Sequence, residues 1–135
     1  MTTPAVANHN YETIYVLKSG ISDTDSQVIH QKVDNVIAKF SGKLKQRDDW
    51  GLKELAYPIN DETNGRYCVA IYDGKAGVVE EIERHFKILD NVIRFLTVRV
   101  DSSYDYEKVK KQIQAAEEEA RKNREYREQK KRGGY

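Results

Sequence analysis

Cysteine is almost missing from this chain of 135 residues; the single Cys68 rules out an internal disulfide and fits a reducing, cytoplasmic compartment. No apolar run approaches the length of a membrane-spanning helix or a signal-peptide core. His9, His30 and His85 share no metal-ligand spacing with one another or with Cys68, so neither a metal nor a cofactor is expected. Strong charge of one sign is lacking too. The net charge of +1 divides into 13 Lys/Arg against 15 Asp/Glu over residues 1–104 and 10 against 7 over residues 105–135. The body therefore does not attract phosphate by its overall field. Any contact with nucleic acid must come from local patches, from the tail or beside a basic partner.

What is present reads as alternating strands and helices. Residues 1–10 form a loose lead-in. Tyr11-Glu-Thr-Ile-Tyr-Val-Leu17 is rich in aromatic and β-branched residues, as a strand should be. Ser22 is placed to cap a helix whose first turn carries Asp23 and Asp25. Val28/Ile29, Val33, Val36/Ile37 and Phe40 recur at helical spacing, and Gly42 stops the run. A long strand from Lys43 to Asn60 bends or bulges near Asp48-Asp49, and Pro58 makes it an edge strand. Asn64-Gly65 suits a hairpin turn before the nearly all-apolar strand Arg66–Tyr72. A second helix buries Val78/Val79, Ile82, Phe86 and Leu89 and turns Glu80, Glu81, Glu83, Arg84 and Lys87 outward, where acids near a helix start are ordinary. Val92–Val100 is the last strand.

The order strand, helix, strand, strand, helix, strand predicts an α+β ferredoxin-like sandwich (βαββαβ) over residues 11–104, a four-stranded antiparallel sheet with two helices on one face. The first and third strands are expected in the centre, giving the order second, third, first, fourth. The central strands are apolar in both alternating sets: Ile14 and Val16 against Tyr15 and Leu17, and Val69 and Ile71 against Cys68, Ala70 and Tyr72. A sheet wetted on one side should alternate cleanly, so this one has apolar surface left for docking. Residues 105–135 form a charged, partly helical tail, thin in apolar residues after Arg121.

No enzyme signal emerges. Small enzymes of this fold that resemble acylphosphatase carry a glycine-rich anion cradle after the first strand, and Lys18-Ser-Gly-Ile21 is too short for one. Tyr11, Tyr15, Tyr67 and Tyr72 fall on the strands where RNA-recognition sheets stack bases. The stretch Gly65–Tyr72 is only a weak echo of that motif, since Cys68 stands where it wants a small residue.

One stretch is more specific. Gly51-Leu-Lys-Glu-Leu-Ala-Tyr-Pro-Ile-Asn60 resembles the hallmark of the bacterial small-subunit ribosomal protein number six family: Gly, any, basic, charged or amide, Leu, Ala or Ser, Tyr, any, Ile, basic or small polar. Tyr11-Glu12 and Asp90–Val100 match the family's first and last strands, so the resemblance covers about residues 11–100. It implies a structural, non-catalytic constituent of the small ribosomal subunit that binds the central domain of small-subunit rRNA as a pair with the basic ribosomal protein number eighteen. Lys53, Tyr57 and Arg94 match the motif positions expected to contact rRNA. Arg66, at the start of the hairpin's second arm, is added to them. A stand-alone RNA-binding domain and a small-ligand regulatory domain of the same fold remain the alternatives.

Overall fold

The computed structural model describes residues 8–59 and 62–133, with side chains described for all of these except residues 55–59, 62 and 63. The chain divides between Ser102 and Ser103 into two units. In the first, the elements are β1 (His9–Lys18), α1 (Asp23–Lys39), β2 (Leu44–Ile59), β3 (Glu62–Gly74), α2 (Val78–Ile88) and β4 (Val92–Val100). The strands form one antiparallel sheet in the order β2-β3-β1-β4, as the alternation of elements predicts.

Its core lies between one face of the sheet and the two helices. Tyr15 and Leu17 of β1 and Cys68, Ala70 and Tyr72 of β3 pack there against Ile29, Val33, Val36 and Ile37 of α1 and Val78, Ile82 and Phe86 of α2. This face is the reason both helices are amphipathic. Val28, expected beside Ile29, is half exposed, because the helical period turns it away from the sheet.

The ends of α1 follow from two residues. The Ser22 side chain accepts a hydrogen bond from the Asp25 N–H at 3.1 Å, capping the first turn. At the other end Ser41, not Gly42, adopts the left-handed conformation (φ 57°). The N–H groups of Ser41 and Gly42 close back on the carbonyls of Ala38 and Ile37, satisfying two terminal acceptors. Gly42 serves a different purpose: a Cβ there would lie 2.0 Å from the Asp73 carbonyl oxygen, so only glycine lets the chain pass the end of β3.

Two boundaries differ from the sequence reading. The lead-in expected over residues 1–10 does not include His9 and Asn10, which belong to β1; Asn10 pairs with both Asp73 and Val100. Residues 1–7 lie outside the described residues. Asn64-Gly65 is not the hairpin turn. Both residues are part of β3, and Gly65 pairs with Lys53 on one side and Lys18 on the other, while Ile59 pairs with Glu62. Pairing on both sides outweighs the local turn preference of that dipeptide.

The second unit contains α3 (Tyr106–Arg132), capped by Asp105, whose carboxylate accepts from the Lys108 N–H at 3.2 Å. It is one unbroken helix of 27 residues, where only a partly helical tail was expected. Glu118 and Glu125 both pair with Arg121 at i,i+3 and i,i+4, support that the apolar count does not register.

Candidate nucleic-acid interface

Register sorts the sheet's side chains into two faces. The face turned away from α1 and α2 is laid out in rows across the strands. Tyr67, Val16 and Arg94 make one row; Val69, Ile14 and Leu96 make the next. Val16 and Val69 are buried in the middle of this face, whereas Leu96 and Val98 on the edge strand β4 are 56% and 45% exposed. A depression of about 210 Å³ lies here, lined by Ile14, Val16, Tyr67, Arg94, Phe95 and Leu96.

Basic residues frame that apolar surface from both edges. Arg94 is exposed on β4, opposite Val16. Lys53 stands on β2 opposite Gly65, in the row that also holds Lys18. The two edge strands are three strand spacings apart, about 14 Å. The Lys53 ammonium sits 4.4 Å from the centre of the Trp50 ring, a cation–π contact that orients it. Trp50 is itself fixed, its indole N–H donating to Asp48 at 3.1 Å. The strand reaches this arrangement through a bulge between Asp49 and Gly51, one step from where two acids predict it. Gly51 has φ 74°, a conformation that glycine adopts without strain, and its N–H donates to the Asp49 carboxylate at 2.8 Å.

Arg66 is elsewhere. It lies opposite Leu17, in register with the helix-covered face. Its guanidinium donates to Asp49 at 2.7 Å and to Asp23, the first residue of α1, at 3.1 Å. Those two acids push its pKa still further up. In return, although burial raises the Asp49 carboxyl, the hydrogen bonds from Arg66 and the Gly51 N–H outweigh it and hold Asp49 below the usual carboxylate range. Arg66 therefore ties the β2 bulge to the start of α1. The structure brings Lys53 and Arg94 to one face and separates Arg66 from both. Tyr57 falls within β2, and its side chain lies outside the described residues.

Residues 10–99 match the family model described as Ribosomal protein S6. The chain belongs to the ribosomal protein S6 family. It is similar to the small ribosomal subunit protein bS6 of Citrifermentans bemidjiense, with 39% identity over 92 residues covering 68% of this chain and 69% of that protein. The bS6 protein of Pelobacter propionicus is 37% identical over 110 residues, covering 82% and 85%. Among solved structures, the 30S ribosomal protein S6 of Thermotoga maritima superposes with a TM-score of 0.64 at 20% identity, over 82% of this chain and 99% of that one. That likeness is one of fold.

Membership in the S6 family makes the chain a small-subunit ribosomal protein and not an enzyme. The site chemistry agrees with a binding surface. Burial pushes the Cys68 thiol up to about 12, so it is an inert core group. Among the described residues, no cluster of His, Cys, Asp and Glu could hold a metal, and no helix is long and apolar enough to cross a membrane. Of the four strand tyrosines, Tyr15 and Tyr72 point into the helix-covered core and are fully buried. Tyr11 packs on Tyr72 on that same side, with ring centres 5.7 Å apart. Of the four, only Tyr67 faces the other way, so β1 and β3 present no row of aromatics on which to stack bases. Trp50 and Lys18 escaped the sequence reading. The bulge that turns Trp50 over Lys53 could have been found from the Gly51 position, but the row shared by Lys53 and Lys18 depends on pairing through β3.

Proposed function

We propose that this S6 protein binds the central domain of small-subunit rRNA jointly with ribosomal protein number eighteen, as a structural constituent of the small subunit. The observation that supports this is the face built from Ile14, Val16, Tyr67, Leu96 and Val98, apolar in its middle and framed by Lys53 and Arg94 at its edges. An apolar sheet face suits a protein partner, and two separated cations suit phosphates flanking it. The slight negative charge of residues 1–104 suits a basic partner and weakens RNA binding by the chain alone. Lys53 and Arg94, with Tyr57 of the same strand as Lys53, are the proposed rRNA contacts; the charge of Arg66 is already engaged by Asp49 and Asp23.

The stand-alone RNA-binding reading is weaker, because the buried Tyr15 and Tyr72 leave no stacking platform on β1 and β3. Titrating a central-domain rRNA fragment with the chain, with and without protein number eighteen, tests the proposal. Tight binding only with the partner is expected, and equal affinity in both titrations would refute the pairing.

A further inference from the structure

The sheet accounts for residues 10–99 of the family match, and α3 lies entirely beyond it. The two halves of this helix differ in charge. Residues 106–120 hold three Lys against four Glu; residues 121–132 hold seven Lys/Arg against two Glu. At about 100° per residue, one stripe of the helix runs Tyr106, Val109, Ile113, Ala116 and Ala120, then continues at the same spacing as Arg124, Arg127 and Lys131. The stripe turns from apolar to basic halfway along.

The remaining charges of the basic half are arranged differently. Arg121 lies about a quarter turn round the helix from this stripe and is held between Glu118 and Glu125. Its charge is thereby neutralised at short range. Lys130 leans on the Tyr126 ring at 5.9 Å. Arg124, Arg127 and Lys131 are exposed, and among the described residues the ion pairs of the helix fall on Arg121 and not on them. Basic residues in a last turn can be explained by the helix dipole alone, and that covers Lys130, Lys131 and Arg132. It does not account for Arg127 and Arg124, which lie about one and two turns before that last turn. An apolar partner does not fit this half of the stripe, and a membrane surface would need apolar residues beside the cations, where only Tyr126 is available.

We infer that Arg124, Arg127 and Lys131 form an RNA phosphate-binding face on α3, separate from Lys53 and Arg94 and indifferent to base sequence. Three cations rising along one side of a helix by about 4.5–6 Å per step can follow a phosphate backbone, and they contact no base edge that would read it. This extends the proposed rRNA role but stands on the charge pattern of α3 alone.

The test uses the full chain and a 16-base-pair RNA duplex of unrelated sequence, without protein number eighteen. Affinity is measured against salt concentration for the native chain, for the triple variant R124Q/R127Q/K131Q and for the control R84Q/K87Q. Glutamine keeps helix propensity close to that of Lys and Arg, and circular dichroism checks that α3 persists. The native chain should bind the duplex weakly, with the salt slope reduced by about two to three in the triple variant and unchanged in R84Q/K87Q, which removes two exposed cations of α2. An equal slope in the triple variant and the native chain would overturn the inference, as would binding to anionic lipid vesicles in place of the duplex. Failure of the partner-dependent reading shows instead in the central-domain fragment, where this duplex plays no part.

Discussion

The Tyr15 hydroxyl lies 2.6 Å from Nδ1 of His30, and both rings are buried between the sheet and α1. Burial, and then the positive charge of Arg47, lower the pKa of His30 in the fold. Arg47 reaches the same corner from β2, donating to both carboxylate oxygens of Asp34 at 3.0 and 2.7 Å. The imidazole is thus held neutral beside a cation that is already paired.

A pH dependence follows. In the unfolded chain His30 titrates near its ordinary value, about 6.5, while the folded ring resists protonation. Between the two values the unfolded state binds more protons, so stability rises with pH there. The contribution is complete above about pH 6.5 and is lost as the pH falls toward the depressed folded value, at up to about 1.4 kcal/mol per unit. Urea unfolding at pH 7.5, 6.5 and 5.5 should show this loss in the native chain and a flatter profile in His30→Gln. Parallel profiles would exclude His30 as the cause.

Phe86 is the second test. Its ring packs 5.1 Å from Tyr15 and 5.4 Å from Phe95, centre to centre, and it is 2% exposed. Replacing it by Ala should cost about 3–5 kcal/mol, read from the denaturation midpoint at constant m.

The two glycines flanking α1 should behave in opposite ways. Gly42→Ala drives a methyl group against the Asp73 carbonyl and should destabilise by about 1–3 kcal/mol. A Cβ on Gly20 meets nothing within 4 Å, so Gly20→Ala should leave stability within about 0.5 kcal/mol. Thermal unfolding of both variants decides the contrast, and equal shifts would contradict the close approach.

Arg66 and Arg94 are both arginines at strand positions, yet they should fail differently. Lys53→Ala and Arg94→Ala should each lower the salt slope of assembly with rRNA and the partner by about one, with little change in stability. Arg66→Ala should lower stability by about 1 kcal/mol or less, as for a largely exposed pair, and leave the salt slope alone. A double-mutant cycle with Asp49→Ala should recover part of that cost as a coupling energy. If Arg66→Ala changes the slope and not the stability, the assignment of its role is reversed.

The sheet order was legible because each strand and helix carried its own period, and Pro58 with the chain order marked the edges. The second-face apolar residues were legible for the same reason, as a failure of Ile14, Val16, Val69 and Ile71 to alternate with polar ones. What stayed hidden depended on distant partners. Arg66 reads as an available cation until Asp23 is folded against it, 43 residues away. Asn64-Gly65 reads as a turn until β1 supplies Lys18 as a second neighbour. The link between Tyr15 and His30 crosses from strand to helix, and no spacing rule encodes it. In α3 the reverse held. Its helicity rests on local pairs such as Arg121 with Glu118 and Glu125, but counting apolar residues concealed them.

The central place of β1 sets a timetable for synthesis. The first strand made is flanked by β3 and by the last, β4, and Asn10 meets its β4 partner only once Val100 exists. Contacts of such long sequence separation raise contact order and slow folding, since the loop between them must close before they are rewarded. A nascent chain halted before Val92 keeps one edge of β1 unpaired, with Ile14 and Val16 beside it, a surface prone to wrong association. The protein is therefore most vulnerable while it is being translated, until β4 closes the sheet.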